Sequence, residues 1–99
     1  MEFDVKVRGN LMEVFVSGSI TSANVNSLGD TILEKLYGIT KIVIDLKDVD
    51  YISSAGARLL LMLKKKMIKV NGDLVINNVG KFVKDVLDQT GFSDILNIN

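Results

Sequence analysis

The sequence contains no cysteine, histidine, tryptophan or proline. Without imidazole it lacks the one side chain whose unperturbed charge changes near neutral pH. Without thiolates it has neither a cysteine nucleophile nor a zinc site of the usual Cys/His type. Most common hydrolytic mechanisms are thereby closed. The absence of cysteine also excludes a disulfide scaffold, and Met1-Glu2-Phe3-Asp4 lacks the basic-then-apolar layout of a secretory signal, so a cytoplasmic protein is expected. The longest apolar run, Leu59 to Leu63, falls far short of the ~20 residues that cross a bilayer, and no membrane insertion is expected. An excess of one charge is missing too. Twelve Lys and Arg balance twelve Asp and Glu, so no global field draws the chain toward nucleic acid.

What is present is apolar and regularly spaced. With 99 residues, 47% of them hydrophobic, the chain is expected to form one domain over residues 1–99, burying roughly 65% of its unfolded surface. Phe3, Val5 and Val7 alternate with Asp4, Lys6 and Arg8. After Gly9-Asn10 the alternation resumes with Met12, Val14 and Val16, which predicts a β-hairpin with one buried face. Thr21 or Ser22 can cap a helix carrying the stripe Val25, Leu28, Ile32 and Leu36, with Gly38 closing it and Gly29 marking a close approach. Ile42-Val43-Ile44 reads as a strand at the sheet centre, covered on both faces. A helix is predicted from about Ala55 to Val70, ending at Asn71-Gly72, and Leu74-Val75-Ile76 reads as another strand. Asn78 can cap a last helix bearing Val79, Phe82, Val83, Val86 and Leu87, and Ile95 to Ile98 can form an edge strand. The order β-β-α-β-α-β-α predicts an α/β (α+β) fold, a small mixed sheet of four to five strands flanked by helices.

Few residues point to chemistry. No Gly-rich phosphate loop occurs. Asp45, Asp48 and Asp50 read as a solvated acidic loop and match no calcium-binding spacing, so neither a metal nor another cofactor is expected. Lys64, Lys65 and Lys66 diverge by ~100° each around a helix and cannot form one flat patch. Ser53-Ser54-Ala55-Gly56 is the informative segment. One serine is the helix N-cap, and a hydroxyl there sits at the positive end of the helix dipole, where a phosphate would be tolerated locally.

The segment Asp45-Leu46-Lys47-Asp48-Val49-Asp50-Tyr51-Ile52-Ser53-Ser54-Ala55-Gly56-Ala57 resembles the signature of the bacterial anti-sigma factor antagonists, the STAS-domain family. That signature reads close to Asp-Leu-Ser-x-Val-x-Phe-Ile-Asp-Ser-Ser/Ala-Gly-Leu. The likeness extends from the opening hairpin through Gly18-Ser19-Ile20 to Thr90-Gly91-Phe92. It implies a regulatory binding protein with no enzymatic activity. When unphosphorylated, it would bind an anti-sigma factor that is itself a serine kinase, and so free a sigma factor for transcription. Phosphorylation would break the complex, and a serine phosphatase would restore it. Aligning Gly56 with the family glycine places the phosphoacceptor at Ser54. Three positions depart from the pattern: Ser53 replaces Asp, Thr21 stands where many members have Asp, and Ala57 replaces Leu.

On a helical wheel Leu59, Leu60, Leu63, Met67 and Val70 share the arc centred on Gly56, expected to face the core. Ala57, Leu61 and Ile68 share another arc, near the line of Ser54, which either forms a partner-facing stripe or is covered by a neighbouring helix. The expected partner-binding set is therefore Ser19, Thr21, Ser53, Ser54, Gly56, Ala57, Leu61 and Ile68. A phosphate on Ser54, beside Asp48 and Asp50 and with no evident basic neighbour, would oppose burial at that contact. Two other readings use the same residues: a permanent STAS subunit of a lipid-transport or stress-sensing assembly, and an enzyme built on the Asp cluster. The second is disfavoured, because no base, nucleophile and oxyanion donor converge.

Overall fold

A computed structural model describes all residues, 1–99. The chain runs β1 (Glu2–Arg8), β2 (Leu11–Ile20), α1 (Val25–Glu34), β3 (Lys41–Ile52), α2 (Ser54–Lys69), β4 (Asp73–Asn77), α3 (Lys81–Gln89), a 3₁₀ turn (Phe92–Asp94) and β5 (Asn97–Ile98). The five strands lie in the order β1-β2-β3-β4-β5. The hairpin pair is antiparallel, closed by Gly9 at φ +59°, and every later pair is parallel.

Each step from β2 to β5 moves one place in the same direction, so the right-handed sense of β-α-β units sets all three helices on one face. Burial agrees. Met12, Val14, Ile42, Ile44, Leu74 and Ile76 are buried beneath the helices, whereas Glu13, Val43, Asp45, Val75 and Asn77 are only half-buried on the opposite face. The expectation of a strand covered on both faces is thus corrected. β3 is the central strand, but Val43 is shielded by its strand neighbours and not by a helix. No polar side chain is fully buried, and no helix is long and apolar enough to cross a membrane.

The acidic segment is strand, not loop. Between Phe15/Ser17 and again between Gly18/Ser19, β3 carries one more residue than β2, and each extra residue is a bulge. Two bulges reset the alternation, so Leu46, Val49 and Ile52 all point into the core at a spacing of three. That spacing hides the strand from a period-two reading. Asp45 Oδ1 accepts from the Lys47 N–H at 2.8 Å, beside the first bulge, and Asp45 Oδ2 accepts from Asn78 Nδ2 at 3.1 Å.

Several helix boundaries also shift. Neither Thr21 nor Ser22 caps α1. The corner is held by Asn24, whose Oδ1 accepts from the Thr21 N–H and whose Nδ2 donates to the Ser19 carbonyl, both at 2.9 Å. Asn78, at φ +58°, precedes α3 without capping it, and Gly80 takes the N-cap position. Phe82 is 70% exposed, not core. Val70 is likewise exposed, because α2 ends at Lys69 and Val70 only caps it. The close approach marked by Gly29 is present: a Cβ there would lie 3.1 Å from Leu59 Cδ1, where α1 crosses α2.

Candidate functional site

The C-terminal ends of β2 and β3 meet the N-terminus of α2 and form the site. Parallel pairing sets Ser19 beside Tyr51 and Ile20 beside Ile52, so two segments more than thirty residues apart become one corner. The Ser53 N–H donates to the Ile20 carbonyl at 2.8 Å, and Ser19 Oγ donates to Asp50 Oδ1 at 2.8 Å. These bonds bring Ser19 and Thr21 next to Ser53 and Ser54.

The adjacent serines do different work. Ser53 has extended backbone (φ −82°, ψ 169°), and its Oγ accepts from the Gly56 N–H at 3.1 Å while its carbonyl accepts from the Ala57 N–H at 3.0 Å. It is half-buried and fully engaged as the N-cap. Ser54 is the first helical residue, exposed, and its hydroxyl has no partner within the chain. The N–H groups of Ser54 and Ala55 are the ones the cap leaves open, and they lie at the positive end of a 16-residue helix.

Gly56 is buried, as the core-facing arc centred on it predicts, and Ala57 is buried as well, so neither stands on the contact surface expected of them. A Cβ on Gly56 would meet Ile52 Cγ1 at 2.6 Å and Ile20 Cγ2 at 2.9 Å. Gly56 therefore acts from below, letting α2 sit directly on the ends of β2 and β3. Ala57 is 0% exposed because the first turn of α2 is seated so low. Leu61 is half-buried, whereas Ile68 is 56% exposed. The apolar stripe thus begins at Leu61, not Ala57.

Two residues join the site that the sequence reading did not select. Tyr51 is 44% exposed, turned outward by the second bulge while Ile52 turns in. Arg58 is exposed four positions after Ser54, on the same face of α2, so Ser54 does have a basic neighbour. Its signal was the i, i+4 spacing, visible only once the helix starts at Ser54. No three acidic side chains converge to hold a metal, since Asp45 and Asp50 are tied to different partners along β3.

Residues 2–99 match the STAS domain. BtrV of Bordetella bronchiseptica, assigned as an anti-sigma factor antagonist, is 34% identical over 91 residues, covering 91% of this chain and 78% of that one. The anti-sigma factor antagonist SpoIIAA in its unphosphorylated form superposes with a TM-score of 0.86 at 17% identity, over 99% of this chain and 88% of that one. The phosphorylated form of the Bacillus SpoIIAA superposes at 0.78 with 16% identity, over 99% and 91%. At such identities the structural likeness speaks for the fold. The chain belongs to the STAS-domain family and, through its likeness to BtrV, to the anti-sigma factor antagonists, whose members are regulatory binding proteins and not enzymes.

Proposed function

We propose that this protein binds an anti-sigma factor that is itself a serine kinase, and that phosphorylation of Ser54 by that kinase releases it. A serine phosphatase resets the switch. The observation that carries the reading is the division of labour between the two serines: Ser53 Oγ is held by the Gly56 N–H, while the Ser54 hydroxyl is exposed and unpaired. A kinase can reach Ser54 without dismantling the cap.

The docking surface in this reading runs from Ser19, Thr21 and Ser53 across Ser54 to Leu61 and Ile68, with Gly56 and Ala57 shaping it from beneath. Phosphate brings roughly −1.5 to −2 charges at pH 7. In the free protein it is stabilised by the helix dipole and by Arg58. In the complex it must be desolvated near Asp50, against an apolar stripe. A difference of about 4 kcal/mol between those environments corresponds to about a thousandfold in affinity. SpoIIAA, which shares the fold, exists in both unphosphorylated and phosphorylated forms.

The deciding experiment is a phosphosite map of the protein purified from its own cells, with phosphatase treatment as control. A phosphate on Ser54 that the phosphatase removes is the expected result. A mark on Ser53 would assign the acceptor to the other serine. No mark under several growth conditions would overturn the switch in favour of a permanent subunit.

A further inference from the structure

We infer that this chain forms a symmetric dimer through the free edge of β1, joining two sheets into one continuous sheet. β1 is the outermost strand, seven residues long, and its second edge is unpaired. In a two-residue hairpin the pair flanking the turn, Arg8 and Leu11, exchanges ladder hydrogen bonds. By alternation Glu2, Asp4, Lys6 and Arg8 bond to β2, and the N–H and C=O groups of Phe3, Val5 and Val7 point outward from the sheet. Such an edge is a template for another strand.

The side chains name which strand fits. Along β1 the order is Glu2, Phe3, Asp4, Val5, Lys6, Val7, Arg8. It is charge-complementary to itself when reversed. With Val5 on a two-fold axis and the copies antiparallel, Glu2 faces the partner's Arg8, Asp4 the partner's Lys6, and Phe3 the partner's Val7. Sliding the register by two residues either way sets Lys6 against Lys6 or Asp4 against Asp4. In-register parallel pairing sets every charge against its like. Only one register thus satisfies all four charged positions.

The local geometry suits it. Glu2, Asp4, Lys6 and Arg8 are exposed on the face of the sheet away from the helices, with Lys6 Nζ 5.6 Å from the centre of the Phe15 ring and 3.9 Å from Asp4 Oδ2. Val7 is 46% exposed on the other face, where the partner's Phe3 would cover it. The charged pairs would occupy non-hydrogen-bonded positions, where facing side chains come closest, while Phe3, Val5 and Val7 supply about six interchain backbone hydrogen bonds. The axis would stand perpendicular to the sheet, so the two Ser54 sites point in opposite directions and both stay accessible. The inference is independent of the phosphorylation switch.

The test is sedimentation equilibrium of the full chain from micromolar to millimolar concentration, with circular dichroism as the folding control. The wild type is expected to dimerise. Lys6→Glu and Asp4→Lys should each weaken the dimer by about tenfold or more, because two attractive pairs become repulsive. An equimolar mixture of the two variants should restore it, since each charge then meets its opposite. A wild type that stays monomeric at millimolar concentration overturns the inference, as does a dimer indifferent to both variants, or folded variants that fail to pair on mixing.

Discussion

The backbone N–H of Ser53 donates to the carbonyl oxygen of Ile20 at 2.8 Å, the last rung between β2 and β3 before the chain turns into α2. This bond fixes the helix start against the neighbouring strand end. It joins the Ser19–Thr21 corner and the Ser53–Ser54 turn into one continuous surface.

Replacing Ser54 separates fold from switch. Its hydroxyl has no intramolecular partner, so Ser54→Ala should melt within about 0.5 kcal/mol of the wild type, as exposed substitutions usually do. In titration calorimetry against the anti-sigma factor, Ser54→Ala should bind like the unphosphorylated protein. Ser54→Asp should bind more weakly, though less so than the phosphoprotein, because it carries a smaller charge. Equal affinity for the two variants would count against the switch.

Ser53 should show the opposite profile. Removing its Oγ leaves the Gly56 N–H without its cap, so Ser53→Ala should lose about 1 kcal/mol, lowering Tm by roughly 4–8 °C for a chain of this size. Ser53→Asp retains a capping oxygen and adds a charge favourable to the helix dipole, so thermal denaturation should find it at least as stable as the wild type.

Gly56 and Gly29 both lie within helices, yet alanine should act differently at each. At Gly56 the new methyl would meet Ile52 and Ile20 at 2.6 and 2.9 Å, atoms of two buried side chains at the strand ends. The resulting strain of about 1–3 kcal/mol outweighs the helix-propensity gain of about 1 kcal/mol. At Gly29 the contact is with the terminal methyl of Leu59 at 3.1 Å, which can rotate away. Denaturant titration should show Gly56→Ala destabilised and Gly29→Ala unchanged or slightly stabilised.

Arg58 provides a check on where a phosphate sits. With Ser54 four residues earlier on the same face, phosphorylation in the first turn should raise the Tm of the free protein through the helix dipole and the Arg58 pair. In Arg58→Ala the rise should be smaller and less sensitive to salt. An identical rise in both would place the phosphate away from this face of α2.

Much of this protein was legible in the sequence because its signals are local. Period-two alternation around Gly9-Asn10 marked the hairpin, and the spacing of Leu60, Leu63 and Met67 marked the core face of α2. The signature around Ser53-Ser54-Ala55-Gly56 marked both the family and the N-terminus of α2. Each depends on backbone periodicity or a single cap, which a short window contains. What failed depended on neighbours the window does not hold. The run Asp45 to Asp50 reads as a loop because two bulges, defined only by pairing with β2, turn Leu46, Val49 and Ile52 inward. Ala57 reads as a surface residue because the wheel does not know how closely Gly56 lets the helix approach Ile20 and Ile52. Local sequence settles which residues can cap a helix and which alternate along a strand. Which serine is engaged as the cap, which is left open, and that Ser19 and Thr21 are brought beside them follow only from how the chain folds. Hydrogen-bond partnership and burial are relations between distant segments, set only when the strands pair.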